Sequence, residues 1–182
     1  MFNELQIIKR KFFSYRNGVT ASLLKKGGSP FKIIFGLTLP QIKQIAREST
    51  PSARLATQLW NNSTTRCSML LAPMLMPPEE FPLNMALEWA AQSPADEVTD
   101  ILCKELLVKT IYAQELVDTL FELDSTVYAA LRLMLNLMRR QTEIKPEWRA
   151  KTAEATNAST PGVRFLALQI VSELGDHDEA RH

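Results

Sequence analysis

The chain has 182 residues, 46% of them hydrophobic, and a formal net charge of +1 at pH 7. A chain of this length forms one domain or one small solenoid, and its hydrophobic content is enough to bury a core. The charge excludes a strongly basic or strongly acidic protein, but a basic face can still form if the acids gather elsewhere.

Glycine usage predicts the fold class. Only six glycines occur, and none lies between Leu37 and Pro161. A sheet protein needs turn signals over a span of that length, and they are missing here. The composition therefore predicts an all-α protein.

The first helix is predicted over residues 2–15, where apolar side chains recur at helical spacing and Asn17-Gly18 follows as a stop signal. Residues 19–40 are the least regular part of the chain. Their basic, glycine-bearing stretch at 25–30 could meet a phosphate, but it lacks the Gly-Lys-Ser/Thr ending of a P-loop, and a mobile surface loop is the preferred interpretation. The apolar run at 31–37 is either a short strand or a buried loop.

Helices then follow one another to the end of the chain. Pro73 falls inside one of them and is expected to kink it or end it early. One repeat domain is predicted over residues 1–175, with a flexible polar tail at 176–182. The predicted helices span residues 39–48, 52–61, 64–76, 77–92, 93–107, 112–123, 127–140, 146–157 and 161–175.

A similar helix start recurs along the chain, and each time an apolar helix follows. The serines that mark it are spaced by 30, 32 and 34 residues, which is typical of a helical repeat array. In the start at residues 93–107, Ser93 is expected to cap the helix and Pro94 to occupy its first position. Stacked helix pairs would form a right-handed superhelical solenoid with a concave inner face. The four serines are Ser63, Ser93, Ser125 and Ser159.

The cysteines and the apolar runs bear on location. Cys67 and Cys103 both fall in apolar helices and are expected to be buried, reduced thiols of a cytoplasmic protein. The first residues carry an acid and no long apolar core, so no signal peptide is predicted. No run of about 18 apolar residues occurs, so no membrane span is predicted.

Two stretches resemble a known family. Residues 36–48 read GLTLPQIKQIARE and residues 56–63 read ATQLWNNS, and Arg66 and the Leu-Leu-Ala at 70–72 follow them. They resemble the HEAT-like-repeat DNA alkylation repair family, the AlkD-like alkylpurine DNA glycosylases. The resemblance covers roughly residues 31–175.

The resemblance implies a DNA-binding protein that excises alkylated purines without a cofactor or a metal. Members bind duplex DNA in the concave groove, and an Asp near a Trp stabilises the positive charge that develops as the damaged base leaves. By register, Asp100 lies at the position of that catalytic Asp. Asp96 stands where the family has the Trp one turn earlier, and Ala167 or Leu168 stands where it has a second Trp. An arginine expected near Tyr128 is not evident.

Basic residues on the second helices of the pairs are the predicted phosphate contacts. Because these helices would line the concave face, side chains there could grip one DNA strand. The alternative is that they pair with acids of neighbouring repeats. The predicted contacts are Arg66, Lys104, Arg132 and Arg164.

Other features have plainer interpretations. Asp100 and Lys104 are four residues apart, as in an ordinary ion pair on a helix surface. Asp96 and Asp100 alone make a poor metal site. Trp60 and Trp89 are expected in the core, and Trp148 partly exposed. The alternative function is a non-catalytic HEAT-repeat module that binds a protein or a DNA structure in the same groove.

Overall fold

The structure is a computed structural model that describes residues 3–179, with side chains to residue 175. Over that range it contains 11 α-helices and no β-strand, apart from an isolated parallel bridge between Ile33 and Thr65. The predicted all-α class is therefore confirmed. None of the helices in the described range is long and apolar enough to cross a membrane.

The chain divides into two compact units, which are described separately. The first unit ends at Pro82 and the second begins at Leu83. The single repeat domain over residues 1–175 stays a prediction.

Five α-helices build the first unit. Helix α5 is almost wholly buried and packs against α3 and α4, and α1 packs against α4. Helix α5 continues through Pro73, so the expected early end at that residue is wrong. A short 3-10 turn, Pro78–Glu80, follows it. The helices are α1 (Glu4–Ser14), α2 (Gly18–Lys26), α3 (Leu39–Arg47), α4 (Ala53–Trp60) and α5 (Arg66–Leu75).

Helix α2 lies where the sequence predicts irregular chain. Asn17 starts it, because its side chain accepts a hydrogen bond from the Thr20 N–H at 3.0 Å. The segment at 31–37 is a loop and not a strand, because its only bridge is the isolated one at Ile33. Phe31 and Leu37 at its ends are buried, and Lys32 and Ile33 are exposed. Gly36 adopts a φ of +77°, and a Cβ there would overlap the Asn17 carbonyl oxygen.

Six α-helices build the second unit, with α9 at its centre. Helix α9 packs against α7, α8 and α11. Helix α7 continues without a break as a π-helical turn, Leu102–Leu106, and a 3-10 turn, Leu107–Lys109. The helices are α6 (Leu83–Gln92), α7 (Asp96–Ile101), α8 (Ala113–Leu120), α9 (Val127–Met138), α10 (Pro146–Ala155) and α11 (Pro161–Glu179).

The repeat pattern is confirmed, with an offset. Helices α5, α7, α9 and α11 begin at residues 66, 96, 127 and 161, two or three residues after the four repeat serines. Ser93 is not a helix cap, since Ala95 holds the N-cap position and the Ser93 hydroxyl accepts a hydrogen bond from Thr99 at 2.8 Å. Helix α11 continues past Gly175 to Glu179, and residues 180–182 of the predicted tail lie outside the described residues.

Candidate functional site

Asp100 lies near the end of α7, facing α9, and two α9 side chains contact it. The Arg132 Nε lies 2.6 Å from the Asp100 Oδ1, and the Tyr128 hydroxyl donates to the same oxygen at 3.0 Å. The Arg132 Nη2 in turn donates to the Tyr128 hydroxyl at 3.0 Å. We call Asp100, Tyr128 and Arg132 the Asp100 cluster.

The helical sequence explains this geometry. Tyr128 and Arg132 are four residues apart on α9, so they share one helix face. The Arg132 guanidinium lies over the Tyr128 ring, 5.7 Å from its centroid. Gly162, in the first turn of α11, lets α11 approach the start of α7 closely, since a Cβ there would lie 2.7 Å from an Asp96 carboxylate oxygen.

The Asp100 cluster is partly buried, and this burial shifts the pKa values of its members. Burial raises the pKa of Asp100, and the charge of Arg132 and the hydrogen bond from Tyr128 oppose that rise without cancelling it. Burial also raises the pKa of Tyr128 to about 12, so the phenol stays protonated at neutral pH. Burial tends to lower the pKa of Arg132, but the hydrogen bond to Tyr128 and the Asp100 charge outweigh it and raise the pKa.

Cys103 lies next to this cluster and has no evident reactivity. Its side chain is fully buried, and its Sγ lies 3.5 Å from the Ala129 carbonyl oxygen. Burial raises the pKa of the Cys103 thiol, which disfavours the reactive thiolate. Cys67 is buried as well, so the predicted burial of both cysteines is confirmed.

The predicted surface pair of Asp100 and Lys104 is not the arrangement in the structure. Lys104 is exposed in the π-helical turn, and the ion pair that Asp100 makes is with Arg132. Asp100 thus ties α7 to α9.

The four predicted phosphate contacts differ in their surroundings. Arg66 is 7% exposed and donates from Nη1 to the Leu37 carbonyl at 3.0 Å, so this residue holds the end of the loop at 31–37. Arg132 pairs with an acid of the preceding repeat, as the alternative interpretation proposes. Lys104 and Arg164 are exposed, and Arg164 donates to the Ala158 carbonyl at 3.2 Å.

One expectation about the aromatic residues is wrong, and one exposed aromatic side chain was not predicted. Trp60 and Trp89 are buried as expected, but Trp148 is buried too, and its indole N–H donates to the Asp118 carboxylate. Of the two residues that the resemblance places at the family's second Trp, Ala167 is buried and Leu168 is 53% exposed, and Phe165 nearby on α11 is 74% exposed. A large apolar side chain off the buried stripe of its helix is the sequence signal that could have identified it.

A pocket of about 400 Å³ opens elsewhere in the second unit. Residues of α10, of the turn before α11, of the first turn of α11 and of the segment from the end of α8 to the start of α9 line it. None of them belongs to the Asp100 cluster. Within the described residues, His, Cys, Asp and Glu side chains form no group of three that could hold a metal ion.

Helix pairs that recur at this spacing define a HEAT-like α-helical repeat protein. No protein-family model matches the chain, and no curated protein sequence does. One solved structure that it resembles is described as belonging to "a new family of proteins related to the HEAT-like repeat DNA glycosylases with affinity for branched DNA structures". The TM-score is 0.74 at 13% sequence identity, over 90% of this chain and 72% of that chain. The resemblance seen in the sequence is therefore confirmed at the level of the fold.

Proposed function

We propose that this protein is a DNA-binding module that recognises branched DNA and performs no base excision. The observation that carries the proposal is the fold match, over 90% of the chain, to a protein whose family has affinity for branched DNA. Duplex DNA, the partner predicted from the sequence, would then be a weaker ligand than a branch.

The Asp100 cluster supports the non-catalytic part of this proposal. A carboxylate that stabilises a developing cation must be free to interact with it. Here the guanidinium of Arg132 already offsets the charge of Asp100 at 2.6 Å. Each of the three tryptophans is buried in the core, so none supplies an aromatic wall at this position.

The predicted phosphate contacts enter the proposal selectively. Lys104 and Arg164 are exposed on second helices, and we retain them as proposed phosphate contacts. Arg66 is omitted because it is buried against a backbone carbonyl, and Arg132 because its charge is paired with Asp100.

The test is equilibrium binding, followed by fluorescence anisotropy, to a four-way junction, a matched duplex and a single strand. We expect the tightest binding to the junction, with the logarithm of the association constant falling linearly with the logarithm of the salt concentration. Absence of salt-sensitive binding to all three DNAs would overturn the proposal.

A second candidate, excision of alkylated purines, is favoured by one observation. The Asp100 side chain is 37% exposed, so the carboxylate is not sealed from a ligand. The check is release of a methylated purine from duplex DNA by the purified protein and by the Asp100→Asn variant. We expect no release from either. Release by the wild type that is lost in the variant would show that the protein is a glycosylase.

A further inference from the structure

The net charge of +1 conceals a separation of charge along the chain. Residues 1–82 contain 11 lysines and arginines and four acids, which gives a net charge of +7. Residues 83–182 contain ten lysines and arginines and 16 acids, which gives −6. These ranges coincide with the two compact units. An imbalance of this size is typical of a protein with a localised polyanion-binding face.

The first unit leaves an important part of its positive charge unpaired. Lys11 pairs with Glu48 at 2.8 Å, and Arg54 lies 3.4 Å from Glu4. Six other cations are exposed and make no ion pair with any residue that the structure describes. They are Lys9, Arg16, Lys25, Lys26, Lys32 and Arg47. Four of the six, Arg16, Lys25, Lys26 and Lys32, lie beside α2.

These four cations surround one helix. Arg16 precedes α2, and Lys25 and Lys26 end it. Lys32 lies in the loop that packs on the start of α2, where the Asn17 N–H donates to the Phe35 carbonyl at 2.8 Å. The cations therefore belong to one continuous part of the first unit.

Helix α2 also presents apolar side chains to solvent. Every residue of α2 is at least partly exposed. Val19 is 73% exposed and Leu23 is 63% exposed, and their spacing of four residues puts them on one face. Adjoining apolar side chains on an exposed face that is rimmed by charged residues are a feature of interaction sites. We call Val19 and Leu23, with the four cations, the α2 surface.

We propose that the α2 surface is the docking surface for branched DNA. The four cations would contact backbone phosphates, and Val19 and Leu23 would contact bases that are unstacked at the branch. Apolar side chains flanked by basic residues play this part in proteins that open a base step. Charge complementarity selects DNA as the occupant, since a polyanion fits a unit with a net charge of +7. The inference rests on the proposed function and gives it a location.

The charge component is tested with a triple variant, Lys25→Gln, Lys26→Gln and Lys32→Gln. The matched control removes the same charge from the second unit, at lysines paired with acids: Lys109→Gln, Lys145→Gln and Lys151→Gln. We expect the α2 variant to lower the salt slope of junction binding by about 3 and the affinity at low salt at least about tenfold. The control should leave the salt slope unchanged. Equal losses in the two variants would overturn the location.

The apolar component is tested with Val19→Ser and Leu23→Ser together, against Ile111→Ser in the second unit, where the side chain is fully exposed. We expect the double variant to reduce the ratio of junction to duplex affinity about tenfold while duplex affinity holds, because unstacked bases occur only at the branch. Circular dichroism and melting temperature confirm that each variant folds. An unchanged ratio would refute the apolar contact.

The two proposals fail in different ways. If the wild-type protein binds no DNA, the proposed function and this surface are both wrong. If the wild-type protein binds the junction and the α2 charge variant binds it equally well, the function stands and the α2 surface is wrong.

Discussion

Two regions of this chain use their positive charge in different ways. Around α9 in the second unit, basic side chains join helices, as Arg132 does with Asp100 and Arg139 with Glu173. Around α2 in the first unit, a close backbone contact at Gly36 holds the loop against the helix, and the nearby cations stay in solvent. The difference teaches that cations which hold a fold together and cations available to a ligand can be told apart by their partners, and not by their number.

The same contrast separates the family's catalytic position from the proposed DNA surface. The resemblance predicts Asp100 at the catalytic position, but in the structure its carboxylate pairs with Arg132 of a neighbouring helix. The α2 surface has no counterpart among the residues that the resemblance points to. DNA binding at that surface would place part of the ligand-binding role in another region of the repeat fold.

The largest expected effect is at Gly36. Replacing it with Ala would place a Cβ against the Asn17 carbonyl oxygen and 2.8 Å from the Ala21 nitrogen, at a φ of +77°. We expect a loss of about 3 kcal/mol or more in the free energy of unfolding, because neither backbone group can move without disturbing α2. Urea denaturation measures the loss, and hydrogen exchange should locate it in the first unit.

Gly28 is the matched control for that substitution. It also has a positive φ, of 82°, but no other atom lies within 4 Å of the position that a Cβ would take there. Gly28→Ala should cost only about 1 kcal/mol, the strain of the backbone conformation alone. Similar losses of unfolding free energy at the two glycines would contradict a stabilising backbone contact between Gly36 and the start of α2.

The next effect is at Arg132. Replacing it with Ala removes the charge that balances Asp100 and leaves a partly buried carboxylate with the Tyr128 hydroxyl. We expect a loss of about 2 kcal/mol, less than for a fully buried pair because both side chains keep some contact with water. A double-mutant cycle with Asp100→Asn in urea denaturation isolates the pair. Additive losses would show that the ion pair does not join α7 to α9.

The smallest effect is at Asp118, which accepts hydrogen bonds from Lys145 and Trp148. Burial alone would raise the pKa of Asp118, but these two bonds and the nearby lysine charges outweigh it and lower the pKa below 3.8. Asp118→Ala should cost about 1 kcal/mol at pH 7, since the site is half exposed and water screens the charges.

The pH dependence of this loss follows from the direction of the shift. A carboxyl whose pKa is lowered by folding stabilises the protein above its unfolded pKa, near 3.8, and this stabilisation is lost as the pH falls through the folded pKa. The difference between wild type and Asp118→Ala should be constant from pH 7 to about pH 5.5 and then shrink below about pH 4. Unfolding measured across that range checks it, and a difference that grows towards acid would contradict the assignment.

Much of the fold follows from the sequence because the apolar side chains keep a helical period. The starts of α5, α7, α9 and α11 come within three residues of their serine markers. Helix α2 was not predicted, because its apolar residues face solvent and form no buried stripe. The helix prediction succeeds where the apolar residues that keep a helical period are also buried.

The site is harder to predict, and each failure has its own cause. The pairing of Arg132 with Asp100 depends on how α9 packs on α7, which no local pattern contains. The burial of Arg66 depends on the Leu37 carbonyl, 29 residues earlier in the chain. The charge separation between residues 1–82 and 83–182, in contrast, is present in the sequence and is hidden only when the charges of the whole chain are summed.

The π-helical turn at Leu102–Leu106 has a consequence for the evolution of the chain length. A turn of this type accommodates one residue more than an α-helical turn over the same rise. A chain that loses one residue there can therefore keep a continuous helix by converting the turn to the α form. The residues on either side of the turn would keep the faces that they present to neighbouring helices, so the ion pair of Asp100 with Arg132 would remain. A single deletion at this turn would therefore shorten the chain by one residue without breaking the repeat.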